Sequence, residues 1–276
     1  MVGGALIRYA VVATVSLLIG ACITLAVAPP LTGGCPAPGG DADREALFQV
    51  STIDALLQGV YDGSMSFGEL ATHGDLGIGC CDRLDGELVG VDGEWYQVRV
   101  DGRAYPVAGS ATTPFAATTF FDPDLTVSID EPMNLIALED YLETKLPSEN
   151  LFYAIRMDGT FPWVVTRSVP IQEKPYARLA DVTANQAVFT FENVTGTAVG
   201  FWTPALAKGI NVPGYHLHFI TSDRTAGGHL LDMTVTEGSV QVDITTNLTM
   251  ALPLNGDFWT VDLSGDLSDD LEQVEK

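Results

Sequence analysis

The sequence predicts an α/β chain weighted towards strands (α+β, strand-rich), preceded by a leader outside the folded body. Three observations carry that expectation. Gly and Asp recur at short intervals through the first half, with short alternating apolar runs between them. Two segments, Leu47–Tyr61 and Met133–Leu146, place apolar residues at helical spacing. From Ala187 to Asp262 nearly every run alternates apolar and polar residues, as half-buried strands do.

The leader comes first. Arg8 is the only charge before Asp41, and the apolar run Tyr9–Ala28 behind it is broken by Pro29-Pro30. About 20 apolar residues suffice to span a bilayer. Residues 1–28 therefore read as a signal peptide or membrane anchor, and the Pro- and Gly-rich residues 29–43 as a flexible tether. Three fates are open: a lipoprotein modified at Cys22 of Ile19-Gly20-Ala21-Cys22, an uncleaved anchor, or secretion after Ala26-Val27-Ala28. All three export the body. The expected location is extracytoplasmic, tethered or secreted, with membrane contact only through the N-terminal segment.

The body follows in order. Leu47 opens a short strand, and Ser51-Thr52 can cap a helix carrying Ile53, Leu56, Leu57 and Val60. Runs at Glu87–Val91, Glu94–Val100 and Arg103–Val107, separated by Asp-Gly pairs, predict a β-meander. Thr118–Phe121 and Leu125–Ile129 continue it. Met133–Leu146 predicts a second helix, with Leu135, Leu138, Leu142 and Leu146 on one stripe. Leu151–Thr166 predicts a strand pair. Pro170 and Pro175 then punctuate the chain, so an N-terminal α/β domain is expected over 44–170 and a C-terminal antiparallel β domain over 171–276. Within the latter, Ala187–Glu192, Thr197–Phe201, Tyr215–Thr221, Leu230–Val235, Val240–Ile244 and Phe258–Leu263 predict an antiparallel sheet or half-barrel. A short acidic tail, Asp266–Lys276, ends it.

Composition narrows the classes. The chain has 276 residues, 13 Lys+Arg against 36 Asp+Glu, and a net charge of −23. A protein so acidic, without a basic patch, is repelled by phosphate backbones, which excludes nucleic acid as a partner. A hydrophobic fraction of 46% excludes a disordered chain. Besides Cys22 there are Cys35 and the adjacent Cys80-Cys81, with no C-x-x-C, so neither a zinc ribbon nor a disulfide framework is indicated. Cys80 and Cys81 read as packing residues or as the lining of a site.

The chemistry points to the histidines. Of four in the chain, three fall within fourteen residues: His216, His218 and His229. Residues two apart in a strand share a face, so His216 and His218 project together. Thr221–Gly228 can turn the chain back as a hairpin, which brings His229 across to the same face. Three neutral imidazoles suit a borderline metal such as Zn²⁺ and leave positions open for water or substrate. The bland alternative is three unrelated polar residues on a solvated face. Arg167, at the end of the apolar run Trp163–Thr166, suits a substrate carboxylate, although a surface salt bridge is the commoner role for such a residue. Glu87, by default, is a solvated turn carboxylate, and Glu275 part of a frayed tail.

Several stretches resemble one family. Phe48–Gly63, Gly74–Gly79 with Leu84-Asp85-Gly86-Glu87-Leu88, Tyr105-Pro106 with Thr113-Pro114-Phe115, and Gly214–Phe219 with Gly227-Gly228-His229 are similar, in order, to the α-acetolactate decarboxylases. The resemblance spans about residues 45–276. It implies a mixed β-sheet N-terminal domain plus an antiparallel-sheet/half-barrel C-terminal domain, with a metal site between them and a homodimer as a common assembly. It implies Zn²⁺ on His216, His218 and His229, and Glu87 and Arg167 as active-site carboxylate and arginine. Glu275, with Glu272 as the fallback, resembles the glutamate that the family's tail returns to the metal. One residue departs: Cys80 stands where the family usually has Thr, replacing a substrate-binding hydroxyl by a thiol. The implied small-molecule substrate is 2-acetolactate, decarboxylated to (R)-acetoin with zinc stabilising the enediolate, Arg167 orienting the carboxylate and Glu87 or Glu275 delivering the proton. Two rivals remain at this level: a cupin-like oxygenase, and an exported zinc-binding module without catalysis.

Overall fold

The computed structural model describes residues 44–254 and 256–275. The signal, anchor and tether expected over 1–43 lie outside the described residues. Chain order runs β1 (Ala46–Val50), α1 (Ile53–Leu57), β2 (Met65–Ser66), α2 (Phe67–Leu70), β3 (Leu76–Cys80), β4 (Glu87–Val91), β5 (Glu94–Val98) and β6 (Ala104–Pro106). It continues with β7 (Thr112–Thr113), β8 (Phe115–Thr119), β9 (Leu125–Ile129), β10 (Met133–Asn134), α3 (Leu135–Glu143), β11 (Phe152–Ser168) and α4 (Leu179–Thr183). Then come β12 (Ala187–Thr203), β13 (Gly214–Thr221), β14 (Gly227–Val235), β15 (Glu237–Thr245), β16 (Asn247–Ala251), α5 (Gly256–Thr260) and α6 (Ser268–Glu275).

Two seven-stranded sheets result. The first has the order β16-β1-β8-β3-β4-β5-β6 and is mixed, because β1 runs parallel to β16 and antiparallel to β8. The second, β10-β14-β13-β12-β11-β15-β9, is antiparallel. Its strands β11 to β14 also close on themselves, since β14 pairs with the far half of β11 at Trp163–Arg167. Strand-rich α+β architecture with a half-barrel is thus what the alternation encodes.

Four local differences have physical reasons. The chain enters the second sheet at Leu125 and returns to the first at Asn247, so no single cut at Pro170 separates the sheets. Leu151–Thr166 is not a strand pair but one continuous strand, and Ala187–Phe201 likewise forms one strand, β12, paired with β11 along its length. Gly159 pairs with Gly196 inside the ladder, and the pairing skips only Pro162 and Asn193 before it resumes at Trp163–Glu192. Phe258–Leu263 lies partly in α5, a helix of five residues, because a six-residue alternation is too short to decide between strand and helix. The acidic tail is helical in α6 and is docked through Val274, which is 2% exposed.

The local signals at the chain's start hold. Thr52 Oγ1 accepts from Ala55 N at 3.2 Å and caps α1, whose Ile53, Leu56 and Leu57 are buried. Asn134 caps α3 in the same way, at 2.8 Å from Ala137 N. Apolar faces of the two sheets meet at Leu47, Ile78, Val89, Val98, Val199 and Phe201. A further cluster joins α1, α4 and α6 through Leu56, Leu179 and Val274.

Candidate metal centre and active site

Register places the site. On β13 and β14, His218 lies directly opposite His229, and on β14 and β11 His229 lies opposite Arg167. Three side chains from three adjacent strands therefore stand in one row, with His216 two residues from His218 on the same face. β12 and β13 approach closely here, since Gly200 is the partner of Leu217, between the two histidines. Glycine is required there. A Cβ on Gly200 would overlap the His216 carbonyl and lie 2.9 Å from Leu217 Cα.

The three imidazole rings are buried, at 7%, 1% and 2% exposure, with centroids 5.0–5.3 Å apart. Their ligand nitrogens all lie within 4.8 Å of one another. His218 Nδ1 bonds the Leu88 carbonyl at 2.7 Å across the sheet interface, leaving Nε2 as its ligand atom. Burial, with the nearby Arg167, pushes His216 down to about 3, and holds His218 and His229 well below the usual imidazole range. All three are neutral at pH 7, the form that binds metal. Each also has a buried ring nitrogen without a hydrogen-bond partner: His216 Nδ1, His218 Nε2 and His229 Nδ1. Buried polar atoms are normally satisfied; unpartnered ring nitrogens on three histidines whose ligand atoms lie this close fit a cation, and this cluster can bind a metal ion.

The first sheet supplies the other wall. Glu87 opens β4 opposite Cys80 of β3. Its Oε1 accepts from Arg167 Nη1 at 3.0 Å, and its Oε2 is 3.7 Å from His218 Nε2. Arg167 Nη2 donates to the Val274 carbonyl at 3.3 Å, and so fastens α6 over the site. Glu275 Oε2 then stands 3.7 Å from His229 Nε2. Burial pushes Glu87 up to about 7, with Arg167 opposing and Glu275 adding to the rise. Burial likewise raises Glu275 to about 7, again against Arg167. Cys80 is buried, its thiol pushed well above the usual range chiefly by desolvation, and it donates weakly to the Phe115 carbonyl at 3.8 Å. These groups enclose a cavity of about 30 Å³, lined by Cys80, Glu87, Arg167, the three histidines and Glu275.

All the candidate residues named from sequence therefore come together: Cys80, Glu87, Arg167, His216, His218, His229 and Glu275. The structure adds groups that the sequence did not mark. The Leu88 and Val274 carbonyls fix His218 and Arg167, and backbone atoms leave no trace in residue type. Glu139 and Tyr215 line an adjoining cavity, and nothing in the sequence of α3 distinguishes Glu139 from a solvated helix acid.

A cavity that gathers three metal-competent imidazoles, two lifted carboxyls and a buried arginine has the composition of an active site. The alpha-acetolactate decarboxylase family profile matches residues 47–265. Relatives include the alpha-acetolactate decarboxylase of Methanosarcina mazei, 56% identical over 84% of this chain and 81% of its own length. That of Bacillus licheniformis is 49% identical over 85% of this chain and 93% of its own length. The crystal structure of alpha-acetolactate decarboxylase from Bacillus subtilis superposes with a TM-score of 0.82 at 46% identity, covering 83% of this chain and 99% of the other. The chain belongs to the alpha-acetolactate decarboxylase family and is a carboxy-lyase.

Proposed function

We propose that the protein is a zinc-dependent enzyme that decarboxylates 2-acetolactate to (R)-acetoin and CO₂. The observation that carries this is the convergence of three neutral, buried imidazoles with unpartnered nitrogens beside the Arg167–Glu87 pair. Zn²⁺ held by His216, His218 and His229 would supply Lewis acidity for the negative charge that the ketone oxygen takes up as CO₂ leaves.

The remaining work falls to the chain. Arg167, anchored by Glu87 and Val274, keeps its Nε buried without a partner, a donor free for the substrate carboxylate. That carboxylate must lose its water before CO₂ can depart, and the apolar lining from Ile53, Leu56, Phe115 and Val169 keeps water out. The new C–H bond needs a proton from a group beside the reacting carbon. Glu87 and Glu275 both carry carboxyls raised to about 7, so either can hold one near neutrality. Cys80 shapes the cavity floor as a neutral thiol.

A structural zinc site is closed by four ligands. Here three histidines would hold the metal, and the Glu87 and Glu275 carboxylates stand 3.7 Å from their imidazoles, placed to act on a substrate beside it. The run Tyr9–Ala28 supports placing this activity outside the cytoplasm. The test is release of CO₂ and acetoin from racemic 2-acetolactate by the full chain, before and after metal stripping and after zinc return. Zinc-restored acetoin of R configuration is expected. Bound zinc without turnover would sink the reading, as would turnover that survives stripping.

A further inference from the structure

Decarboxylation of the 2-acetolactate anion consumes one proton per turnover. The C–C bond to the carboxylate breaks, CO₂ departs, and the electron pair left behind ends in a new C–H bond. The groups around the reacting atoms are largely buried: Glu87 is 6% exposed, His218 1% and His229 2%, while the Glu275 side chain keeps 17% exposure. A proton must therefore be carried in each time.

A second cavity, of about 80 Å³, adjoins the first. Its walls include Glu139 of α3, Tyr215 of β13, His216, His229 and Glu275. Glu275, His216 and His229 line both cavities and form their common wall, in which Glu275 is the carboxyl. The volume has room for several waters. Glu139 is half-buried, on a helix that packs against β14 and is tied to β13 by the Tyr215 hydroxyl, which donates to the Glu139 carbonyl at 3.3 Å. The charged groups facing its carboxyl are acidic: Glu143 and Asp140 of α3 and Asp232 of β14. Burial and these three push Glu139 up to about 7. Acidic surroundings of this kind repel the anionic substrate and draw protons.

We propose that Glu139 is the relay through which bulk protons reach the active site, passed by water across the second cavity to the Glu275 carboxyl in the common wall. Glu139 touches no reacting atom, and its role rests on the decarboxylase reading above. The substrate anion does not use this route.

The test compares the zinc-loaded full chain with Glu139→Gln and Glu139→Asp at pH 8 in dilute buffer, where proton supply limits turnover. Glu139→Gln lowers kcat about tenfold, at the modest end of proton-transfer effects, with KM and zinc content unchanged. Its solvent deuterium isotope effect rises. Ammonium chloride, a small cationic acid suited to the acidic surroundings, restores the rate where sodium chloride at equal ionic strength does not. Glu139→Asp keeps most of the wild-type rate. A Glu139→Gln enzyme with wild-type kcat and isotope effect overturns the relay, as does a loss that ammonium fails to restore. Failure of the wild type to release CO₂ is a separate result, and removes the decarboxylase reading itself.

Discussion

Replacing Gly200 by Ala tests whether the metal centre depends on the spacing of β12 and β13. A Cβ built there lies about 1 Å inside the 3.0 Å that side-chain carbons keep from other atoms, against the His216 carbonyl oxygen, with Leu217 Cα at 2.9 Å and the His216 carbonyl carbon at 3.0 Å. All three are backbone atoms, so no rotamer change relieves the overlap. The strands must part by about 1 Å from the usual spacing of about 4.8 Å. Metal-ligand distances tolerate only about 0.2 Å. A shift several times larger, applied to the strand carrying two of the three proposed ligands, is expected to weaken zinc binding by about 100-fold, the upper end of what disturbing ligand orientation costs. Overpacking costs about 1–3 kcal/mol, and at about 2–4 °C per kcal/mol for a chain of this size the melting temperature falls by about 2–12 °C. The assay is zinc competition against a chromogenic chelator, with melting followed by circular dichroism. Gly256→Ala, where an added Cβ meets nothing within 4 Å, is the control. Wild-type zinc affinity in Gly200→Ala would refute the reasoning.

Other outcomes follow from the same geometry. His218→Ala removes one imidazole of the proposed zinc set and orphans the Leu88 carbonyl; it should abolish zinc retention by dialysis and acetoin formation together. Asp243, buried at 1% exposure, is pushed up to about 7 by desolvation and by Glu45, Asp124 and Asp122. Its folded pKa lies above the unfolded one, so its contribution to stability is largest at low pH and is lost as pH rises from about 4 through 7. Asp243→Asn should therefore melt higher than wild type at pH 8 and lose that advantage at pH 5; a lower melting point at pH 8 would contradict the burial argument. Cys80 and Cys81 carry thiols pushed upward by burial. Neutral thiols react slowly, so an alkylating reagent at pH 8 should leave both intact by mass spectrometry until the protein is denatured.

Much of the site was legible because strand geometry is simple. His216 and His218 share a face by the period of two, and a hairpin, with a loop shorter than the Thr221–Gly228 expected, puts His229 opposite His218. Arg167 was visible only as an arginine at a strand end, because its pairing with β14 depends on β11 running unbroken through Gly159 and Pro162. A strand pair was expected over Leu151–Thr166, and the 17-residue partner β12 holds it as one strand. Glu87 and Glu275 were legible only through family resemblance, since acid residues in a turn and a tail are solvated by default. What the sequence could not express is the closing of sheet on sheet, which buries Glu87, and the docking of α6, which buries Val274 beside it. Glu139 stayed hidden for the same reason, as its setting is made by β13 and β14.

The parallel pairing of β1 with β16 also sets the order in which the chain can mature. Ala46 has Asn247 as its partner, and Val50 has Ala251, so the first strand waits for one synthesised some two hundred residues later. Contacts this distant in sequence slow folding. Until β16 arrives, β1 is paired only with β8, and its other edge is open to any strand that meets it. A chain emerging from a ribosome or a translocation pore thus carries a sticky border until almost its last segment is free, and fragments that stop short of Asn247 should clump rather than settle.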